Sequence, residues 1–331
     1  MRFLFFTDTH IRGTNPKSRL DDYYSALKNK FEEIINIVEK NNIDYILHGG
    51  DWFDRPDISP SIVRDFAILV KKFNRPVYSV AGNHDIFGHN PETISRTMLG
   101  LLEGTDIIRI IEDNKPIIIE KDNVKVQLYG HSYSYEIDEK GLKESYIVKK
   151  DRACDYCINI VHGMLLPKTF IEGIKYTIID EILSTEADIT LAGHYHSGFG
   201  VKKINERLFV NPGSLARISA LKSEIERIPQ VVIIDLEKEL NLWVVPLECA
   251  RPGEEVLDRA HIESAQNRAY KLNQFFQNID ASGDYKQIKI DINDMIEQIV
   301  AAQGVSDEVK IETIKRIEKA RTSMDGEEVE A

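Results

Sequence analysis

The chain has 331 residues, 42% of them hydrophobic and 29% charged, and a formal net charge of −12 at pH 7. This length and composition exclude a fibrous or disordered chain and leave room for one large domain with a smaller one beside it. The acidic balance argues against a protein that holds nucleic acid by bulk electrostatics alone, because phosphate repels a negative surface.

Two further classes are excluded by local sequence. The first apolar run, RFLFF, ends before Asp8 and is too short for a signal peptide or a membrane span, so we expect a cytoplasmic protein with no membrane contact. Three cysteines cannot form a disulfide framework. The lone CxxC pair of Cys154 and Cys157 has no zinc-ligand partners, and core packing is favoured.

The first half of the chain alternates strand-like and amphipathic segments. Helices are expected near residues 21–40 and 60–73, between the apolar runs RFLFFT, YILHG and PVYSVAG. This rhythm predicts a parallel sheet with helices packed on it. Residues 107–133 contain the short runs IIRII, PIIIE and VKVQLYG without a helix between them, which favours antiparallel pairing there.

The second half of the chain predicts a second sheet and a second domain. The strands CINIVHG and ADITLAGHYH are followed by GFGVKKI, RLFVNPGS, QVVIIDLE and LNLWVVPLE, which we expect to close the second sheet. Past residue 252 the pattern changes to helix, strand and helix. We therefore predict a large α/β domain at 1–250, a small α+β domain at 251–323 and an acidic tail at 324–331.

Polar side chains follow five of the apolar runs, at the point where each predicted strand ends. Ligands of open α/β sheets collect at that edge, so these residues are expected to share one crevice. They are Asp8, His10, Asp51, Asn83, His84, Asp85, His162, His194 and His196.

These residue types suit a metal centre. Imidazoles and carboxylates bind Mn, Fe or Zn, and a carboxylate can bridge two ions where a histidine cannot. Two ions can lower the pKa of a bound water and hold the oxygens of a phosphate during in-line attack. The alternative reading is that each residue only caps a strand end, which is plausible singly and much less so for all five ends together.

The motifs D-x-H, GD-x-x-D, GNHD, a later H-G and G-H-x-H resemble the calcineurin-like metallophosphoesterase family over residues 8–196, and the likeness of the sheets extends to about residue 250. The resemblance implies a four-layer αββα sandwich with two metal ions. It assigns one ion to Asp8, His10, Asp51 and His196, and the other to Asp51, Asn83, His162 and His194. His84 would then protonate or stabilise the leaving oxygen, and Asp85 would orient His84.

Within that family the chain is most similar to the SbcD-like nuclease subunits of double-strand-break repair complexes. This likeness implies a Mn²⁺-dependent exo- or endonuclease of DNA repair or recombination, with Fe, Zn or Mg as alternative metals. It also implies a DNA substrate and an SbcC-like coiled-coil ATPase subunit as partner, and it allows a homodimer. A phosphodiesterase or phosphatase acting on a small nucleotide or phosphoprotein is the alternative, and a non-catalytic scaffold is a remote third.

Other candidates carry weaker signals. His48, His89, His131 and Arg55 lie near the motifs without sharing their pattern, and His261 falls on a C-terminal helix. The basic loop RGTNPKSR at 12–19 is either a solvated loop or a contact for a phosphate backbone.

Overall fold

The structure is a computed structural model, and it describes residues 1–258 except 140, 142, 171–173 and 238. Apart from residues 251–258, the predicted α+β domain and acidic tail lie outside the described residues, as does His261. The strands, in chain order, are β1 (Arg2–Phe6), β2 (Tyr45–His48), β3 (Val77–Ser79), β4 (Arg109–Ile110), β5 (Ile117–Lys121), β6 (Val124–His131), β7 (Tyr156–Val161), β8 (Leu165–Leu166), β9 (Thr177–Ile178), β10 (Ile189–Ala192), β11 (Gly200–Ile204), β12 (Arg207–Asn211), β13 (Gln230–Asp235) and β14 (Asn241–Pro246). The α-helices are α1 (Tyr23–Lys40), α2 (Pro60–Lys72), α3 (Met98–Gly104), α4 (Lys222–Glu226) and α5 (Gly253–Val256).

The first sheet has six strands in the order β14-β13-β1-β2-β3-β4. Strands β1, β2, β3 and β4 run parallel, with Leu4 beside Ile46 and Ile46 beside Val77. The parallel pairing predicted for the first three strands is confirmed. The antiparallel expectation for residues 107–133 is wrong for β4, which extends this parallel sheet from its edge.

Strands β13 and β14 also belong to the first sheet, where β13 pairs antiparallel with β1 and β14 pairs antiparallel with β13. The prediction that QVVIIDLE and LNLWVVPLE close the second sheet is therefore wrong. Val231 through Ile234 are all fully buried, so β13 faces a core on both sides. A run that is apolar on both faces has no alternation to indicate which sheet it joins.

The second sheet has the order β11-β12-β10-β7-β6-β5. Its centre is parallel, since β10 pairs with both β7 and β12 in that sense and β6 pairs the same way with β7. The edge pairs β5–β6 and β11–β12 are antiparallel hairpins. The antiparallel prediction is thus confirmed for PIIIE and VKVQLYG.

Successive side chains of β1 belong alternately to two hydrophobic cores, one on each face of the first sheet. Leu4 and Phe6 pack with α1 and α2, whereas Phe3 and Phe5 pack against the second sheet. Successive side chains of a strand point to opposite faces, and burying a phenylalanine contributes about 1.5–3 kcal/mol. Helix α1 begins at the N-cap Asp22, whose carboxylate accepts the Tyr24 N–H at 3.1 Å.

The far face of the second sheet is also covered. Phe209 and Val161 of that sheet pack there with Tyr146, Leu165 and Ile179, which lie in turns, a short strand and a 3-10 segment. The α/β class with two stacked sheets is confirmed. Cys157 of β7 is fully buried, and burial raises its pKa to about 12, as the core-packing interpretation predicts.

Residues 251–258 stay attached to these sheets. Helix α5 packs on α4 through Val256 and Ile225, and the Leu20 N–H donates to the Val256 carbonyl at 3.1 Å. The predicted boundary at residue 250 stays a prediction, because the rest of the proposed second domain lies beyond the described residues.

Candidate metal centre

The loops that follow β1 and β2 run side by side and bring their carboxylates together. The Asp8 N–H donates to the Gly50 carbonyl at 3.1 Å, and the His10 N–H donates to the Asp51 carbonyl at 3.0 Å. Asp8, His10 and Asp51 have positive φ angles of 53°, 43° and 56°. Left-handed backbone costs a non-glycine residue about 1–2 kcal/mol, and such strain is concentrated at functional sites.

The first predicted set of ligands is assembled. His10 Nε2 lies 3.0 Å from His196 Nε2 and 3.6 Å from Asp51 Oδ2, and His196 Nε2 lies 3.6 Å from Asp8 Oδ1. One donor atom from each of these four residues falls within 4.8 Å of the others. Two carboxylates and two imidazoles thus converge from three different strand ends.

The second predicted set is assembled beside the first. His162 Nε2 lies 3.5 Å from Asp51 Oδ2 and 3.2 Å from Asn83 Oδ1. Asp51, His162 and His194 each place a donor atom within 4.8 Å of the other two. Asp51 therefore lies in both sets, and all seven predicted ligands meet in one place.

The Oδ2 atom of Asp51 gives the sharpest test of whether metal ions fit here. It is buried and has no hydrogen-bond partner, although Oδ1 of the same carboxylate accepts the His84 N–H at 2.8 Å. A buried carboxylate oxygen without a donor is costly, and the nitrogen neighbours at 3.5 and 3.6 Å belong to rings in the two different sets. Cations between Oδ2 and each ring would satisfy all three groups.

Three glycines allow this close packing. A Cβ atom on Gly82 would lie 2.0 Å from Asp51 Oδ1, and one on Gly50 would lie 2.4 Å from His162 Nδ1. A Cβ on Gly193 would meet the Gly49 carbonyl at 2.4 Å. The glycines beside the ligand positions are therefore required by space, and Gly50 also has a φ of 95°.

Protonation in the metal-free site favours neutral imidazole at two ligands. Burial lowers the pKa of His10 well below its usual value and lowers that of His194 to about 3. Burial alone would neutralise His162 too, but the Asp51 carboxylate outweighs it and raises the pKa of His162 to about 9. In turn the His162 charge overcomes burial and holds the pKa of Asp51 well below its usual range. A metal ion would replace the His162 proton as the positive partner of Asp51.

His162 also has the outer support that metal ligands usually have. Its Nδ1 lies 2.6 Å from the Gly49 carbonyl oxygen, so Nδ1–H donates there and Nε2 is left to face Asp51 and Asn83. Asp8 is fixed by the Thr7 hydroxyl at 2.7 Å and by the His194 N–H at 3.1 Å.

His84 lies next to the first set, and its orienting partner differs from the predicted one. Its ring stands edge-on to that of His10, with 4.8 Å between centroids. Nδ1 lies 2.9 Å from the backbone carbonyl of Asp54, and Nε2 carries no protein partner. The predicted contact with Asp85 is therefore not made.

Asp85 instead holds two loops together. Its carboxylate accepts the N–H groups of Trp52, Phe53 and Gly82 at 3.2, 3.0 and 2.9 Å. Burial and the neighbouring Asp51 raise its pKa to about 7, against the N–H groups of Gly82 and Phe53, which lower it. Asp85 thus positions the turn that carries Asp51 and the turn that carries Asn83, and acts on the site through them.

A family profile described as calcineurin-like phosphoesterase matches residues 1–198. The chain belongs to the calcineurin-like phosphoesterase family. The predicted enzyme class, a metal-dependent phosphoesterase, is thereby confirmed for this calcineurin-like chain. The match ends just past His196, so it covers all seven predicted ligands.

Similar proteins include curated repair proteins. The double-strand break repair protein MRE11 of Encephalitozoon cuniculi is 24% identical over 311 residues, covering 82% of this chain and 51% of the relative. The DNA double-strand break repair protein Mre11 of Saccharolobus solfataricus is 30% identical over 135 residues, or 39% of this chain and 32% of the relative. A solved structure of an archaeal phosphodiesterase aligns with 75% of this chain and 100% of its own, at 18% identity and a TM-score of 0.38. The chain spans about half, or less, of the length of these curated relatives.

Other sequence candidates of this calcineurin-like domain have structural explanations. His48 is buried and stacks on Trp52 with ring centroids 3.8 Å apart, and His131 is buried beside Tyr129. Arg55 is exposed and pairs with Asp57. Donor atoms of His10, Asp54 and His84 also lie within 4.8 Å of one another, but the Asp54 carboxylate pairs with Arg12 at 3.0 Å.

Aromatic side chains around the second set were not predicted. The Tyr133 ring lies 5.5 Å from His194 and 5.4 Å from the exposed His89. Tyr195, between the two ligand histidines, contacts the Phe170 ring at 6.1 Å. An aromatic residue in an apolar strand or loop has no sequence mark that separates a site neighbour from core packing. Hereafter Tyr133, Tyr195 and Phe170 are called the aromatic rim.

The basic loop 12–19 was expected to be either solvated or in contact with a phosphate backbone, and neither interpretation describes it fully. Arg12 pairs with Asp54, and Arg19 is buried and forms two hydrogen bonds of 2.8 Å with Asp21. Only Lys17 of the three cations is solvated, so the loop is mainly structural.

Within residues 1–258, apart from the gaps stated above, no helix is both long and apolar enough to cross a membrane. The cytoplasmic location stays a prediction.

Proposed function

We propose that this calcineurin-like phosphoesterase is a dinuclear phosphodiesterase that cleaves DNA and uses Mn²⁺ as its metal. The observation that carries the proposal is the orphaned Asp51 Oδ2 between two complete donor sets. Asp8, His10, Asp51 and His196 would hold one ion, and Asp51, Asn83, His162 and His194 the other. When bound, such ions supply Lewis-acid activation of water and neutralise charge on the phosphate.

The chain's own residues supply positioning and a proton. In its doubly protonated form His84 would give its Nε2 proton to the leaving oxygen and keep its Nδ1 proton, which donates to the Asp54 carbonyl and fixes the ring. The Asp51 carboxylate accepts the His84 backbone N–H, so the bridging residue is hydrogen-bonded to the turn that carries the acid. Asp85 keeps that turn in register with the loop after β2.

DNA is the proposed substrate on two grounds. The curated relatives are described as DNA double-strand break repair proteins. Within the aromatic rim, Tyr133 places its ring 5.5 Å from that of His194 in the second set, and stacking on aromatic side chains is how proteins hold unpaired bases irrespective of sequence. Phe170 is 37% exposed, so part of the rim is open to a ligand.

The net charge of −12 is the reason to propose a partner that binds DNA. A chain this acidic gains little affinity for long duplex from bulk charge, and a DNA-gripping SbcC-like ATPase subunit would supply it. The helices predicted beyond residue 258 are the proposed contact for that subunit or for a second copy of the chain.

One assay separates DNA from the alternative substrates. Full-length protein is incubated with Mn²⁺ and, in turn, single-stranded DNA, duplex ends, a nucleoside cyclic phosphate, a phosphopeptide and bis(p-nitrophenyl) phosphate. We expect cleavage of the synthetic diester and of single strands, and none in excess chelator. Activity confined to the cyclic nucleotide or the phosphopeptide would replace DNA by the alternative, and full activity in chelator would remove the metal mechanism.

A Tyr133→Leu variant tests the contribution of the rim. Loss of stacking should raise KM for single strands, since a stacked base contributes about 1–3 kcal/mol, and leave cleavage of bis(p-nitrophenyl) phosphate nearly unchanged. Tyr135→Leu is the matched control, because Tyr135 is 65% exposed and its ring lies against Lys175.

A further inference from the structure

A small cavity outside the metal centre is lined by four cationic side chains. It measures about 220 Å³ and lies among α1, Arg217 and the segment 249–256. The cations are Arg19, Lys30, Arg217 and Arg251. Binding sites for drug-sized ligands occupy about 300–1,000 Å³, so a ligand here would be smaller.

Two of these cations have carboxylate partners. Arg19 is paired with Asp21, and the half-exposed Arg251 reaches Glu255 at 3.0 Å. The remaining acid on the cavity wall, Asp22, accepts the N–H groups that begin α1 and is exposed. Asp21, Glu255 and Asp22 therefore already have partners and do not pair with Lys30 or Arg217.

The other two cations, Lys30 and Arg217, have no carboxylate partner among residues 1–258 outside the gaps. Lys30 Nζ donates to the Leu215 carbonyl at 2.6 Å, and the Arg217 guanidinium donates to the carbonyls of Arg227 and Arg251. Arg217 Nε is buried and has no partner at all. Lys30 and Arg217 are 4% and 2% exposed.

Two buried cations that face one cavity without an ion-pair partner are energetically unfavourable, although Glu224 and Asp21 offset part of the cost at Arg217. Desolvating an ammonium or guanidinium costs several kcal/mol unless an anion or a dense set of acceptors replaces water. Burial and the neighbouring guanidinium of Arg19 lower the pKa of Lys30 well below its usual value, and burial with Arg227 lowers that of Arg217 to about 10. Cys249 on the same wall is a neutral thiol, because burial and Glu33 raise its pKa to about 12.

We infer that this cavity binds a small oxyanion of the phosphate class, held by Lys30 and Arg217. A guanidinium and an ammonium facing one space suit phosphate, because Arg offers paired N–H donors and Lys a compact charge. The cavity volume suits inorganic phosphate or the phosphate group of a small nucleotide. The site is distinct from the proposed catalytic centre and does not rest on its function.

Occupancy would also brace the loop that supports the metal centre. The Ser214 N–H donates to the His196 carbonyl at 2.9 Å, and the Leu215 N–H donates to the Thr7 carbonyl at 2.9 Å. Lys30 holds the Leu215 carbonyl from the cavity side. A bound anion would fix Lys30 and, through Leu215, the loop beneath Asp8.

Thermal unfolding of the full-length, chelator-dialysed protein tests the site, because without metal phosphate cannot bind at the proposed catalytic centre. Phosphate is titrated at constant ionic strength with chloride as the balancing anion. We expect the Tm to rise with phosphate, since a ligand that binds only the folded state stabilises it by mass action. Titration calorimetry should give one phosphate per chain.

Lys30→Met should lose this response, with phosphate affinity reduced by about ten-fold or more. The substitution removes a charge without a carboxylate partner but also the donor to the Leu215 carbonyl, so the response of each variant is its rise in Tm above its own value in chloride. Lys40→Met, an exposed position on the same helix, is the control and should respond as wild type does. Arg251→Gln, also exposed, should weaken the response without affecting folding.

A nucleoside monophosphate distinguishes the source of the phosphate group. A response at concentrations ten-fold lower than for inorganic phosphate would assign the site to a nucleotide, and equal responses to a free oxyanion. Absence of any rise in Tm for wild type, or equal rises in wild type and Lys30→Met, would overturn the inference.

Discussion

Replacing Asp51 by asparagine should separate its bridging role from its role in folding. Oδ1 accepts the His84 N–H, and an amide oxygen in the same position keeps that bond. Oδ2 has no hydrogen-bond partner among the described residues, and without the carboxylate that raises its pKa the buried His162 becomes neutral, so the change leaves no charged donor unpaired. We therefore expect Asp51→Asn to fold.

The expected loss of metal follows from the charges of the two sets. Asp51 is the only carboxylate in the second set, whose formal charge goes from −1 to 0, whereas Asp8 keeps the first set at −1. Loss of a residue that merely supports a ligand costs about 10–100-fold in metal affinity, and a direct charged ligand should cost at least that. The second ion should be lost first, and diesterase activity with it.

The assay is Mn²⁺ content per chain by mass spectrometry after equilibrium dialysis, with unfolding measured in parallel. Asp65→Asn on α2 is the control, because that carboxylate pairs with Tyr24 and Arg64 and belongs to neither set. Two ions bound to Asp51→Asn as tightly as to wild type would refute the bridging role.

Three further predictions concern the proposed acid His84, the packing at Gly82 and the protonation of His162. His84→Ala should keep both ions and lose about a hundredfold or more in kcat, the usual size of a general-acid contribution, and an ion lost by this variant would show that His84 is a ligand. Gly82→Ala should lower the free energy of unfolding by about 1–3 kcal/mol and weaken Mn²⁺ binding, because its Cβ would overlap Asp51 Oδ1; Gly104→Ala, whose Cβ meets nothing within 4 Å, should lose neither in denaturant titrations. In the metal-free protein the pKa of His162 is raised from 6.5 to about 9, so its stabilisation is present below pH 6.5 and lost as pH rises through 9. Mn²⁺ affinity should rise by about ten-fold per pH unit across that window, and an affinity independent of pH would contradict the coupling.

The clustering of the predicted ligands could be anticipated because strand ends are marked in the sequence. Asp8, Asp51 and His194 each follow an apolar run at once, and parallel strands place their carboxyl ends on one edge. The split of His194 and His196 between two donor sets followed from the family resemblance, and the structure brings each into the set assigned to it.

What could not be predicted depends on contacts between distant segments. The fully apolar run of β13 fits either sheet, and only its pairing with β1 decides. The family resemblance implied that Asp85 orients His84, but the turn aims the Asp85 carboxylate at backbone N–H groups more than 30 residues away. Arg19 looked like a loop cation and is buried, because Asp21 lies two residues on with the geometry to pair with it.

The most direct test of the dinuclear site is anomalous diffraction from crystals of the full-length chain grown with Mn²⁺. Two anomalous peaks are predicted, one among Asp8, His10, Asp51 and His196 and one among Asp51, Asn83, His162 and His194, with Asp51 contacting both. A single peak, or two peaks that do not share Asp51, would contradict the account.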